Sequence, residues 1–293
     1  MNDYNYKKID AFTSEKSFGN PAACIYLEDH QTLTDVQMLA IARQHKGFVS
    51  EVVYCSKSND VDYRLAYYSS ECEVNFCGHG TIACMYSLIK SSPDLMERAE
   101  LIIDTNKKGQ LTVYNRIYEQ DAVFITAPEP ENIGTELSLE VIAEFLRFGI
   151  DQISTQHPVD LIDAGLRTLI VPIKTLIDEI NIYPDEQNLK TFCLDQDIDI
   201  ILIFSNEVRN PGSLAHTRVF APRYGYLEDP ATGSGNSAFG CYLIKNKLWN
   251  GGAISIEQGG SNIEFNTVKL TFMNGRILFG GRATDRIIGK YYL

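Results

Sequence analysis

Three short stretches hold the side chains that could move protons in this chain. Glu51 interrupts the strand-like apolar run Phe48-Val49-Ser50-Glu51-Val52-Val53-Tyr54. A carboxyl with Val52 and Val53 as neighbours is partly desolvated, which raises its pKa toward the range useful for general acid–base work. Facing outward from the strand, the same residue would be an ordinary surface glutamate. Cys77-Gly78-His79-Gly80 places a thiol and an imidazole inside a glycine turn, and Glu228-Asp229 lies just before a second turn, Thr232-Gly233-Ser234-Gly235. His79 reads either as a proton-handling group or as a satisfied structural histidine, and Asp229 either as a site residue or as a helix N-cap partner.

The glycine turns themselves read as anion sites. A Gly-x-Gly turn leading from a strand into a helix leaves backbone N–H groups pointing outward at the positive end of the helix dipole. Two such turns, through Gly78 and Gly80 in one and Gly233 and Ser234 in the other, would grip a small carboxylate or phosphate from two sides. The plainer alternative is that the glycines only permit tight packing. Neither turn is a nucleotide fingerprint: the first lacks a third glycine at the right spacing, and Asn236 stands where a Lys-Ser/Thr pair would be needed. Cys72-x4-Cys77-x-His79-x4-Cys84 invites a zinc reading, but it matches no CxxC arrangement, Cys84 falls in an apolar helical stretch and no second ligand pair follows. No metal and no organic cofactor is expected. Cys77, at the mouth of a helix, would be a reactive thiolate if exposed.

Strands and two recurring helices must position these groups. Strand-like runs cover residues 4–12, 22–27, 49–55 and 61–68, with an amphipathic helix opening at Leu33-Thr34-Asp35; Thr34 is its expected cap, and Val36, Leu39, Ala40 and Arg43 its shared face. A helix apolar nearly all round runs from Gly78 to about Lys90, stopped by Ser91-Ser92-Pro93. Residues 77–90 align without a gap on residues 232–245, identical at six of 14 positions: both glycines, the alanine and the closing Leu-Ile-Lys. Arg64 and Arg218 begin strand-like runs 13 and 14 residues upstream of the two aligned starts. This reads as a duplicated βα unit, one copy per lobe. Ala127-Pro128-Glu129-Pro130-Glu131-Asn132 is the best linker, so the lobes are taken as 1–127 and 128–282, with a segment of about 283–293 packing back on the first.

Size and charge agree with an ordinary two-lobed enzyme. At roughly 150 residues per domain, 293 residues suggest about two domains, and 44% hydrophobic with 22% charged residues is globular composition. The 26 Lys and Arg against 38 Asp and Glu leave a net charge of −12, which repels nucleic acid and anionic membrane surfaces. No segment approaches the roughly 18 apolar residues of a membrane span, and the first eight residues lack a leader's apolar run, so a cytoplasmic location is expected. Seven unevenly placed cysteines do not form a secreted disulfide framework.

The segments Ile9-Asp10-Ala11-Phe12-Thr13, Phe18-Gly19-Asn20-Pro21-Ala22-Ala23, Ser50-Glu51, Cys77-Gly78-His79-Gly80-Thr81 and Glu228-Asp229-Pro230-Ala231-Thr232-Gly233-Ser234, in this order, resemble the PhzF family of phenazine biosynthesis-like proteins. The resemblance implies an α+β, diaminopimelate epimerase-like fold: two pseudo-symmetric lobes, each a curled mixed β-sheet around a central helix, with the active site in the cleft between them. By position it implies catalytic roles for Glu51, His79 and Asp229. Gly78, Gly233 and Ser234 match the turns that hold a substrate carboxylate, and Ser50 and Gly80 complete the candidate binding set. It also implies cofactor-independent isomerisation of a small carboxylic acid by proton transfer, in a homodimer. The related epimerases use two facing cysteines; Cys77 aligns with one, but Thr232 stands at the other, and a hydroxyl pKa lies far above a thiol's. Two departures bear on the substrate. Gln258-Gly259-Gly260-Ser261-Asn262 lacks the arginine that many members carry after the final Gln-Gly, and Gly80 stands where the phenazine enzyme has a bulkier residue. The alternatives are a racemase or epimerase assisted by Cys77, and a binding protein that kept the cleft without the chemistry.

Overall fold

The computed structural model describes residues 2–260 and 264–293; Met1 and residues 261–263, and with them the Ser261-Asn262 part of the departing stretch, lie outside the described residues. The chain divides into two compact units, Met1–Thr126 with Gly280–Leu293, and Ala127–Phe279.

In the first unit, β1 (Asp3–Ala11) runs antiparallel to β2 (Asn20–Leu27). Helix α1 (Asp35–Gln44) crosses to β3 (Glu51–Lys57), which lies parallel to β2, and β4 (Tyr63–Ser69) returns antiparallel to β3. The two-residue β5 (Glu73–Val74) pairs with β4 and leads into α2 (Gly78–Lys90). Past α3 (Pro93–Met96), β6 (Glu100–Thr105) joins β4 in parallel, followed antiparallel by β7 (Gly109–Arg116) and, after α4 (Ile117–Gln120), by β8 (Ala122–Thr126).

The second unit repeats that order. After β9 (Glu131–Asn132) and α5 (Leu139–Leu146), β10 (Asp160–Asp163) pairs antiparallel with β11 (Arg167–Pro172); α6 (Leu176–Asn181) and α7 (Glu186–Asp195) cross to β12 (Ile200–Ser205), parallel to β11. Then β13 (Ala215–Phe220) is antiparallel, β14 (Glu228–Asp229) pairs with it, and α8 (Gly233–Lys245) precedes β15 (Ile254–Gln258), parallel to β13. β16 (Asn266–Met273) and β17 (Arg276–Gly281) follow, and β18 (Ala283–Tyr292) returns to the first unit, antiparallel to β1. Each unit is thus a mixed sheet packed on a central helix, α2 or α8. Both helices run for 13 residues, and 155 positions separate their starts.

Burial explains the composition of those helices. α2 is buried from Gly80 through Ser87 and packs on β1, β2, β3, β8 and β18, so a polar face would have been desolvated without partners. α1 is different. Thr34 does cap it, closing a capping box with Gln37. The buried face, however, is Met38, Ile41, Ala42 and His45, while Val36 is 78% exposed. The expected period was right and its phase wrong. The stripe is closed by His45, a polar type made compatible with the core because both ring nitrogens are bonded, to the Ile41 carbonyl (2.8 Å) and the Tyr6 hydroxyl (3.1 Å). Arg64 and Arg218 are also not counterparts: Arg64 is exposed beside Asp104, whereas Arg218 is buried at 1% exposure. Among the described residues no helix is long and apolar enough to cross a membrane.

Candidate active site

Glu51 opens β3, and alternation along the strand decides where its carboxyl points. Val52 and Tyr54 pack into the cluster with Met38, Ile41 and Ala42 of α1. Glu51, Val53 and Cys55 therefore share the opposite row, which faces α2; the Cys55 thiol meets Cys84 of that helix. The parity of one strand thus delivers a carboxyl to the start of the central helix, where Cys77 is the N-cap and its Sγ accepts from the Gly80 amide at 3.3 Å.

Three side chains converge there. The Cys77 thiol donates toward Glu51 Oε2 at 3.8 Å, His79 Nε2 lies 3.3 Å from the same oxygen, and Cys77 Sγ is 3.5 Å from His79 Nδ1 and 3.8 Å from Nε2. Burial pushes the Glu51 carboxyl up to about 7, against the Cys77 hydrogen bond that pulls it down. The side chains of His79 and Glu51 keep 14% and 20% of their surface, enough for a ligand to touch them. Gly78 and His79 occupy the first helical turn, whose amides have no intrahelical acceptor. Ser50 sits exposed at the bend before β3. Gly80 has a packing reason of its own: an added Cβ would meet Val53 Cγ2 at 2.8 Å and Cys77 Sγ at 2.9 Å.

In the second unit the corresponding turn is built around Thr232, the N-cap of α8. Its hydroxyl makes no cap bond; it donates to Asp229 Oδ2 at 2.6 Å and accepts from Gln258 Nε2 at 3.3 Å. Asp229 thus supports the cap residue. Gln258, fully buried, ties the turn together: its Oε1 accepts from the Thr232 amide (3.0 Å) and Asn236 Nδ2 (2.6 Å), and its Nε2 donates to the Asp229 carbonyl (2.9 Å). Arg218 fixes the strand before it, with a bidentate grip on Glu228 (3.0 and 2.9 Å) and further bonds to the carbonyls of Glu179 and Ile182, each at 2.7 Å. Gly233 is confined, since a Cβ there would lie 2.2 Å from Phe279 Cε2; Ser234 is half-buried in the first turn.

The structure thus gathers Glu51, His79, Gly78 and Gly80 around Cys77, and Asp229, Gly233 and Ser234 around Thr232. Sequence reasoning missed Gln258, Asn236 and Arg218 as supports. Gln258 was visible only as the first residue of the Gln-Gly stretch that bears on the substrate, and the partners it ties together lie 22 to 29 residues away. The zinc-like spacing is not assembled: Cys84 turns to Cys24 and Cys55, and Cys72 lies in an exposed turn with Ser69. Among the described residues the group with metal-ligand proximity is instead Glu51, Cys77 and His79, whose donor atoms lie within 4.8 Å of one another.

The sequence profile of the phenazine biosynthesis-like (PhzC-PhzF) proteins matches residues 9–284. The chain belongs to that family. It is 29% identical over 247 residues to the uncharacterized isomerase YfhB of Bacillus subtilis, covering 83% of this chain and 82% of that protein. It is 27% identical over 259 residues to the trans-2,3-dihydro-3-hydroxyanthranilate isomerase of Pseudomonas fluorescens, covering 87% and 86%. A PhzF-family crystal structure from Bacillus anthracis superposes with a TM-score of 0.86 at 25% identity over the whole of both chains. A hydroxyproline epimerase from Agrobacterium vitis, 14% identical over 98% of this chain and 92% of its own, superposes at 0.58 and shares the fold. The family and these neighbours make the chain a PhzF-like isomerase of α+β, diaminopimelate epimerase-like fold.

Proposed function

We propose that this PhzF-like enzyme moves a proton within a small unsaturated or carbonyl-bearing carboxylic acid, without an organic cofactor or metal, and that Glu51 is its acid–base group. The observation that carries the reading is the Glu51 carboxyl, held on the α2-facing row of β3 with a pKa of about 7 and His79 Nε2 3.3 Å away. Ionised, it takes a proton from carbon next to the unsaturated system. Protonated, it returns the proton nearby on the same face, so it ends each turnover as it began. His79 and Asp229 orient the substrate through hydrogen bonds, and the first-turn groups of Gly78, Gly233 and Ser234, with Ser50, hold its carboxylate, while Gly80 gives its amide to Cys77 Sγ. The compound named for the Pseudomonas fluorescens relative is a small unsaturated carboxylate of this class and is the first to test.

In deuterated water, turnover is expected to label the migrating position. Glu51→Gln is expected to lower kcat by about 10²–10⁴ in a folded protein whose melting temperature is at or above the parent's. An unchanged rate in that variant removes Glu51 from the mechanism. A cysteine-assisted route is favoured by a single observation, the 3.8 Å approach of Cys77 Sγ to Glu51. Cys77→Ser cripples that route and leaves the glutamate route largely active. The same reading takes the enzyme as a cytoplasmic homodimer, which sedimentation equilibrium tests at the level of assembly.

A further inference from the structure

We infer that Glu51, Cys77 and His79 form a binding site for a zinc-class divalent cation, and that the cation silences the proposed acid–base group by occupying it. The donor set is the first argument. One thiol, one imidazole and one carboxyl are three ligand types that zinc takes together, and three protein ligands with an open position make a site that a small molecule or water can complete. The distances are the second. Cys77 Sγ to Glu51 Oε2 and Cys77 Sγ to His79 Nε2 are both 3.8 Å, and His79 Nε2 to Glu51 Oε2 is 3.3 Å. A triangle with those sides has its corners about 2.1 Å from a common centre, so a cation slightly out of its plane reaches bonding distance of about 2.0–2.3 Å to all three atoms. Neither feature follows from spacing along the chain, because Glu51 comes from β3 and the other two from the start of α2.

Charge supports the geometry. A thiolate and a carboxylate together balance a divalent ion, and the Gly80 amide already donates to Cys77 Sγ, which favours the deprotonated sulfur the metal needs. On binding, the Cys77 proton and any proton held by the Glu51 carboxyl pass to the buffer, Sγ, Nε2 and Oε2 each give a lone pair to the cation, and Glu51 no longer accepts a proton from carbon. Binding itself does not depend on the proton-transfer reading; only the loss of turnover rests on it.

Cobalt(II) added to the metal-free protein tests the site without substrate. One equivalent is expected to give the near-ultraviolet thiolate-to-cobalt charge-transfer band, displaced by Zn²⁺. The band should vanish in Cys77→Ser, persist in Cys72→Ser, and require at least about tenfold more cobalt in Glu51→Gln. X-ray absorption of the zinc-loaded parent protein, which needs no variant to fold, is expected to show one sulfur at about 2.3 Å per zinc. No band at millimolar cobalt, a band that survives Cys77→Ser, or zinc without a sulfur neighbour overturns the inference. Zinc bound through Cys77 with undiminished turnover leaves the metal site standing and removes the acid–base role of Glu51.

Discussion

Glu51 carries a linkage that can be read in two independent ways. Its carboxyl titrates near 4.5 in an unfolded chain and at about 7 in the folded one, so between those values the native state holds a proton that the unfolded state has released. Stability contributed by the neutral carboxyl is fully present below about pH 4.5 and is lost as pH rises toward 7, by at most about 3 kcal/mol. Glu51→Gln removes the titration, so urea unfolding should show the variant gaining on the parent between pH 5 and roughly 7.5. Activity should move the other way: kcat/KM rises with pH through an apparent pKa of about 7, because the ionised form is the base. A flat rate profile across that window contradicts the role, and a flat stability difference contradicts the burial. At this scale the sequence shows a carboxyl followed by Val52 and Val53 and hence desolvation. It does not show which face of the strand carries it, because that depends on which row packs on α1 and which on α2.

At the scale of elements, the two Gly-x-Gly turns do more than expose amides. In each helix the second glycine sits under its own N-cap side chain: an added Cβ at Gly80 would be 2.9 Å from Cys77 Sγ, and one at Gly235 would be 3.3 Å from Thr232 Cγ2. The first glycine of α8 is tighter still, with Phe279 at 2.2 Å. Rigid aromatic neighbours cannot retreat as aliphatic tips can, so chemical denaturation should rank the losses Gly233→Ala above Gly80→Ala above Gly235→Ala, spanning about 1–3 kcal/mol. A gain in stability at all three would reduce the glycines to helix propensity, on which alanine is favoured. The extent of α2 and the start of α8 were legible because each apolar run starts at a Gly-x-Gly turn. The phase of α1 was not, since His45 counts as polar until its two ring bonds are seen. The short strands β5 and β14 were not legible either, since two residues cannot display an alternation.

Across the whole molecule, the internal repeat of 77–90 in 232–245 extends to the order and direction of the surrounding strands, which the sequence hinted at through six identities in the helix alone. Each unit has its own core, the first around α1 and its sheet, the second around Leu169, Ile201 and Phe220. The first unit is completed only by the end of the chain. β18 pairs with β1 from Asp3 to Ala11, and Arg286 Nε donates at 2.7 Å to Asp10, a carboxylate only 2% exposed. Removing residues 283–293 opens that edge of β1 and leaves Asp10 with Lys8 but without Arg286, a loss of at least about 3 kcal/mol. The loss should fall on one unit. Native-state hydrogen exchange of the shortened chain is expected to quicken by about 10² at amides of α2 and β1 to β4, with α8 and β11 to β13 unchanged. Equal acceleration in both sets would mean that the duplicated units unfold as one, and that the repeat in topology is not a repeat in stability.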